Sequence, residues 1–205
     1  MNNSNSIEAA LEEVYARFAE QAAAQGYSPD ELVFGSGNPN SRIVLVGEAP
    51  GREEVAAGRP FVGRAGKNLT RFLQETGIER EELYITNAVK FRPYKVSPRG
   101  TRSNRPPNAR ERALCARCLA EELGVLAPGL VVTLGNTAMA AVCGPDAPAI
   151  GELHGSLLEA GGERKFAVFA LYHPASIIYR PALEETYWQD LRELRRVHGL
   201  FTQLV

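Results

Sequence analysis

The stretch that decides the fold of this 205-residue chain is Arg42-Ile43-Val44-Leu45-Val46-Gly47-Glu48-Ala49-Pro50-Gly51. A short apolar run that ends in glycine is typical of a parallel strand buried on both faces. The same kind of pattern predicts strands at residues 81–87, 129–135 and 166–172, and helical periodicity at about residues 7–25, 65–76, 109–126, 137–143 and 183–198. Alternating strands and helices predict an α/β fold, a three-layer α/β/α sandwich around a central, mostly parallel four-stranded sheet.

The composition predicts an ordinary globular protein with a single domain over residues 1–205. Residues 1–30 are expected to form an N-terminal helical segment, and residues 91–108 a long, flexible basic loop. No apolar run approaches the roughly 20 residues that cross a bilayer, and no secretory signal is visible. Three cysteines argue against a disulfide framework. We therefore expect a cytoplasmic monomer without a membrane partner.

The charge of the chain is unevenly distributed. The net charge of −1 gives no support to nucleic-acid binding, yet eight basic residues fall between Lys90 and Arg112 against one acidic residue, Glu111. Such a stretch can bind a polyanion locally. A solvated loop without a partner explains the stretch equally well when it is taken alone.

Polar and turn residues follow every predicted strand. They are Glu48-Ala49-Pro50-Gly51 after the first strand, Asn87 at the end of the second, Gly135-Asn136 after the third and His173-Pro174 after the fourth. In α/β folds the ligand crevice lies beyond the carboxyl ends of the strands, so these residues predict one site. A phosphate-binding P-loop is excluded, because Arg64-Ala65 stands where the spacing from Gly58 requires Lys-Ser or Lys-Thr.

Four motifs together resemble those of the uracil-DNA glycosylase superfamily, in its thermostable, iron–sulfur-containing family 4 branch. The motifs are Gly47 to Gly66, Ile85-Thr86-Asn87-Ala88-Val89-Lys90, Leu134-Gly135-x-x-Ala138 and Tyr172-His173-Pro174-Ala175. Each is weak alone, whereas their order and spacing are specific. The resemblance implies an enzyme that flips uracil out of DNA and hydrolyses its N-glycosidic bond, leaving an abasic site without strand cleavage.

The resemblance also implies how the base is bound. Phe61 would stack on the flipped base, with Ala49 and Glu54 beside it. Asn87 would pair with the Watson–Crick edge of uracil, because an amide has both a donor and an acceptor. Without the other motifs, Phe61 would be better explained as a core residue, and Asn87 as a turn residue.

Two further roles concern the charges that develop as the bond breaks. His173 would donate a hydrogen bond to uracil O2, and Glu48, or less favourably Glu54, would position water or face the cationic sugar. Glycosidic cleavage builds positive charge on the sugar and negative charge on the leaving base. A donor at the base and a carboxylate at the sugar therefore stabilise the transition state more than the ground state.

DNA itself would be contacted on two sides of the site. The candidates are Gly51, Lys90, Arg92 and Arg102 on one side and the segment Ser176-Ile177-Ile178-Tyr179-Arg180 on the other. In that segment Ile177 would fill the gap left by the flipped base, and Arg180 would meet a phosphate. The alternative is that both isoleucines pack at the start of the last helix.

The cysteines depart from the family pattern. The family 4 branch holds its cluster with four cysteines, of which only Cys115 has a counterpart: the N-terminal pair is absent, and Phe91 stands at the third position. Cys118 and Cys143 are expected to be small core residues. We expect no iron–sulfur cluster, no other cofactor and no metal ion.

Two other classes of protein stay open. One is a non-turnover or covalent uracil-DNA-binding protein of the same superfamily; a sister group bonds to DNA through a histidine in a long basic loop, but no histidine occurs between Lys90 and Pro107. The other is an α/β enzyme that acts on free nucleotides. The sequence leaves open whether other deaminated bases are substrates, and whether single or double strands are preferred.

Overall fold

The structure is a computed structural model that describes residues 3–159 and 166–202. Its helices are α1 (Asn3–Ala23), α2 (Arg52–Ala57), α3 (Arg64–Thr76), α4 (Ala109–Leu126), α5 (Asn136–Cys143), α6 (Ile150–Leu153), α7 (Pro174–Tyr179) and α8 (Glu184–Thr202). Its strands are β1 (Ser36–Gly37), β2 (Ile43–Gly47), β3 (Tyr84–Asn87), β4 (Tyr94–Val96), β5 (Arg102–Asn104), β6 (Leu130–Leu134), β7 (Leu157–Glu159) and β8 (Ala167–Leu171). None of the helices in this part of the chain is long and apolar enough to cross a membrane.

The main sheet has the strand order β1-β3-β2-β6-β8-β7. Its four central strands are parallel and are the four predicted from the sequence, which confirms the mostly parallel α/β fold. The prediction of four strands was too low, because β1 and β7 add antiparallel edges of two and three residues. Strands so short carry no readable alternation of apolar and polar residues.

Helices cover both faces of the sheet, as the three-layer prediction requires. Alternate residues of β2 point to opposite sides. On one side Ile43 and Leu45 pack in a core with residues of α3 and α8, such as Phe72. On the other side Val44 and Val46 pack with α1, α4 and α5. The sheet is therefore buried on both faces, and only its strand ends remain available for a site.

The basic segment contains a hairpin where an irregular loop was expected. Strands β4 and β5 pair antiparallel, with Tyr94 opposite Asn104. Behind them, Arg105 donates to both carboxylate oxygens of Glu111 at 2.6 and 2.7 Å. Glu111 also closes the capping box of α4 with Asn108. The hairpin is thus fastened to the first turn of a long helix by charge-assisted bonds.

Candidate functional site

A cleft of about 420 Å³ lies at the carboxyl ends of the parallel strands. It is lined by the segment after β2, the last residue of β3, the start of α7, the loop between α2 and α3, and the hairpin. The candidate residues that line it are Glu48, Ala49, Gly51, Glu54, Phe61, Asn87, Arg92, Arg102 and His173. The structure therefore brings together every residue expected to touch the base or the sugar.

The inner wall of the cleft depends on the absence of a side chain at Gly47. Gly47 and Asn87 are register partners at the ends of β2 and β3. A Cβ atom at Gly47 would overlap both Asn87 Oδ1 and the ring of Phe61. Asn87 is 2% exposed, and among the described residues its side-chain amide has no protein partner. The amide is therefore free to bind a ligand in the cleft.

Phe61 is held in an unfavourable backbone conformation. Its φ angle is +54°, in the left-handed region that costs an L-residue about 1 kcal/mol. The helix that follows presses against it, since a Cβ at Gly66 would overlap the Phe61 carbonyl group. The ring is 5% exposed, and its centroid lies 5.8 Å from that of the His173 ring. Strain of this kind is often found where a side chain must be held in one position for function.

The two candidate carboxylates have different surroundings. Glu54 accepts hydrogen bonds from the Gly51 N–H at 3.0 Å and from the Gly63 N–H at 2.8 Å, one on each oxygen. Glu48 accepts one bond on Oε2, from the Thr137 hydroxyl at 2.5 Å. Glu54 therefore fastens the loop on both sides of α2, whereas Oε1 of Glu48 has no partner within residues 3–159 and 166–202 and is left for a ligand.

His173 is a neutral donor in this structure. It is the N-cap of α7, and its Nδ1 accepts a hydrogen bond from the Ala175 N–H at 3.1 Å. The proton of the neutral ring is therefore on Nε2. Burial lowers the pKa of His173 to about 4, although the negative charge of Glu54 acts in the opposite direction. At neutral pH the ring carries no charge and keeps one N–H to donate.

The hairpin forms a basic wall of the cleft. Arg92 and Arg102 both line it, and the ring of Tyr94 lies near the two guanidinium groups, 5.9 and 4.5 Å from their central carbons. Arg92 also donates to Asn104 Oδ1 at 2.7 Å. These contacts orient both side chains without neutralising their charge.

Lys90 is placed differently from what the sequence predicted. Its side chain is fully buried, and its ammonium group donates to Glu122 at 2.6 Å. A lysine enclosed in this way cannot contact a DNA phosphate, so the prediction for Lys90 was wrong. The partner lies 32 positions away on α4, and no local pattern indicates such a pair.

The segment after His173 also differs from the prediction. Ile177 is 8% exposed and belongs to the core, so it cannot enter a DNA duplex. Ile178 and Tyr179 line the cleft instead, and Tyr179 is 81% exposed. Ser176 and Arg180 are not among the lining residues of the cleft. Thr137, which holds Glu48, was missed; its only signal was its place two residues after Gly135.

The three cysteines lie on two different helices. Cys115 and Cys118 are buried in α4, and burial raises the pKa of the Cys115 thiol to about 11. Cys143 is exposed, so the prediction that it lies in the core was wrong. The ring of Phe91 stacks on Tyr27 with centroids 3.8 Å apart. Within residues 3–159 and 166–202 no three metal-ligating side chains of His, Cys, Asp or Glu come together.

Comparisons with known proteins identify the family of this chain. The family model for the uracil DNA glycosylase superfamily matches residues 34–192. A type-4 uracil-DNA glycosylase from Archaeoglobus fulgidus is 38% identical over 171 residues, 82% of each chain. One from Thermotoga maritima is 40% identical over 147 residues, 72% of this chain and 71% of the relative. The crystal structure of Pedobacter heparinus SMUG2 matches in fold, with a TM-score of 0.57 at 13% identity over 89% of this chain and 98% of that one. This chain is a member of the uracil-DNA glycosylase superfamily.

Proposed function

We propose that this protein excises uracil from DNA by hydrolysing its N-glycosidic bond, as a monofunctional enzyme of base-excision repair. One observation carries the proposal: the amide of Asn87, the neutral imidazole of His173 and a free oxygen of Glu48 line the same cleft. The relatives named as type-4 uracil-DNA glycosylases support the same activity.

The base would be recognised by stacking and by hydrogen bonds. A flipped uracil would lie on Phe61 beside Ala49, with its edge toward the amide of Asn87, which has no partner in the described part of the chain. That amide can match the acceptor and donor of uracil, and a base with the opposite pattern would leave buried polar groups unpaired. Glu54 acts indirectly here, because it holds the loop that carries Phe61.

The bond would break by electrostatic stabilisation at both of its ends. His173 donates from Nε2 to uracil O2 as negative charge grows on the leaving base. Oε1 of Glu48 faces the developing sugar cation or orients the attacking water, while Thr137 fixes the carboxylate through the other oxygen. Neither a metal ion nor a covalent nucleophile is needed for these roles.

DNA would cross the mouth of the cleft between the hairpin and α7. Arg92 and Arg102 would bind phosphates. Tyr179, which is large and 81% exposed at the rim, would fill the gap left by the flipped base, the role that the sequence predicted for Ile177. Ser176 and Arg180 would contact the strand farther out, and Gly51 would let the DNA backbone approach the start of α2 closely.

We also infer that the protein works without an iron–sulfur cluster, as a cytoplasmic monomer. Where the family pattern has a cluster cysteine, this chain has Phe91, and its ring is stacked on Tyr27. The pKa of the Cys115 thiol is raised by burial, whereas iron binds the thiolate form. The purified protein should be colourless, and assays should find neither iron nor sulfide in it above background. A brown protein with bound iron would contradict this.

The proposed activity is tested with an oligonucleotide that contains one uracil. After incubation and hot alkali, wild-type protein should yield a cleaved strand, while without alkali the strand should stay intact. Asn87→Ala and His173→Ala should each lose about 100-fold or more in rate. Arg117→Ala, an exposed change on α4, is the matched control. An alkali-resistant, slowly migrating band without turnover would indicate the covalent alternative.

A further inference from the structure

One fully buried ion pair lies next to Asn87, the residue proposed to recognise the base. Lys90 and Glu122 are both 0% exposed, and their charged atoms are 2.6 Å apart. The pair joins α4 to the end of β3. Burying two charges is costly and seldom adds stability over an apolar pair of the same size, so stability alone is a weak explanation for it.

The ammonium group of Lys90 has three partners that fix its position. It donates to Glu122 Oε2, to Thr86 Oγ1 at 2.7 Å and to the main-chain carbonyl oxygen of Asn87 at 2.8 Å. An ammonium group has three donors, so its bonding capacity is filled. The last of these bonds reaches the backbone of the residue whose amide lines the cleft.

The carboxylate of Glu122 is fixed in turn from the other side. Its Oε1 accepts from the Tyr15 hydroxyl of α1 at 2.5 Å, and Tyr15 is 2.7 Å from the hydroxyl of Tyr84 on β3. Its Oε2 also accepts from Thr86 at 3.1 Å. Helices α1 and α4 thereby hold the ammonium group against the carboxyl end of β3.

From this arrangement we propose that Lys90 is a positioning residue for uracil recognition, setting the orientation of Asn87 through its carbonyl group, with Glu122 as its counterion. The proposal rests on the proposed function. Asn87 is the last residue of β3, where strand pairing ends and the chain turns away. On its β2 side it is bounded by Gly47, and the Lys90 bond fixes its carbonyl group. A shift of about 1 Å in such a group can cost about 100-fold in rate.

The test removes the Lys90 donor without leaving an unpaired charge. In Lys90→Met/Glu122→Gln both charges are neutralised, and the new amide can accept from Tyr15 through its oxygen and donate to the Thr86 hydroxyl oxygen through its nitrogen. We expect the single-turnover rate of uracil excision to fall at least about tenfold and the inhibition constant for free uracil to rise by a similar factor. Binding to DNA with an abasic site should stay within about twofold, since the basic hairpin is untouched.

Two controls separate positioning from loss of stability. Val197→Ala, on the core-facing side of α8, should lower the melting temperature while keeping the excision rate and the affinity for free uracil at temperatures where it is folded. Glu122→Gln alone keeps the Lys90 donor but leaves its charge unpaired, so it is assayed only below its own melting temperature, where it should lose less rate than the double variant. If Lys90→Met/Glu122→Gln does not fold, Lys90→Met/Glu122→Leu makes the same test.

The outcomes are distinct. A folded double variant whose excision rate and uracil affinity match wild type would overturn the proposal. So would a loss of rate that Val197→Ala reproduces at an equal melting temperature, or an equal loss in Glu122→Gln alone. If the wild-type protein itself releases no uracil, the proposed function fails instead, and that result is seen before any variant is made.

Discussion

Lowering the pH from about 8 to about 5 is expected to destabilise the native protein through His173. The pKa of this imidazole falls from 6.5 to about 4 on folding, because burial disfavours its charged form. Well above pH 6.5 both folded and unfolded states are neutral at this residue, and its contribution to stability is complete. As the pH falls toward 4, the unfolded state binds a proton that the folded state does not, and stability is lost.

The size of the effect follows from the shift. At about 1.4 kcal/mol per pKa unit, the fall from 6.5 to about 4 corresponds to about 3.5 kcal/mol in total, of which about 2 kcal/mol is lost by about pH 5. The assay is urea denaturation of the wild-type protein and of His173→Gln across this pH range. Glutamine keeps a polar side chain at the N-cap of α7 and does not titrate. Other groups, including His198, whose burial also lowers its pKa, cancel in the difference between the two proteins.

The free energy of unfolding of wild type minus that of His173→Gln should therefore decrease by about 2 kcal/mol between about pH 8 and about pH 5. A difference that stays constant across this range would show that the imidazole is solvated in the native state. The reasoning for a neutral donor would then be refuted. The excision rate gives a second readout, since it should show no transition near the ordinary pKa of histidine.

Three further substitutions test the roles proposed for individual residues of the cleft. Gly47→Ala should lower the rate of uracil excision by more than about 100-fold, because its methyl group would displace Asn87 and Phe61. The control is Gly124→Ala on α4, whose methyl group meets nothing within 4 Å and should stabilise the protein by about 0.5–1 kcal/mol. Equal excision rates in the two variants would contradict this. Arg102→Ala should reduce the slope of log affinity against log salt by about 1, measured by fluorescence anisotropy, and an unchanged slope would remove this residue from the phosphate contacts. Glu48→Gln should slow single-turnover excision about 100-fold at unchanged affinity for abasic DNA, and a full rate would exclude its carboxylate from the chemistry.

Much of the fold and the place of the site could be predicted from the sequence, because both follow from local patterns. Apolar runs such as Ile43–Gly47 indicate buried parallel strands, and the rule that ligands bind beyond strand ends locates Asn87 and His173 together. The edge strands β1 and β7 could not be predicted, since segments of two or three residues carry no periodicity.

The errors concern side chains whose position is set by distant partners. The burial of Lys90 depends on Glu122 in another helix, and a basic residue in a basic stretch gives no sign of it. Ile177, expected to enter the DNA, lies in the core and Tyr179 is exposed instead, because the rotation of α7 about its axis is set by packing on the core. The free oxygen of Glu48 and the two occupied oxygens of Glu54 likewise become visible only when Thr137, Gly51 and Gly63 are placed around them.

The most direct test of the account is to measure free uracil, by chromatography, released from a uracil-containing oligonucleotide present in excess over the protein. Wild-type protein should release many equivalents of uracil per molecule, and Asn87→Ala and His173→Ala should each release it at least about 100-fold more slowly while still folded. No free uracil from wild type, or equal release from all three proteins, would contradict the account of this cleft as the site of excision.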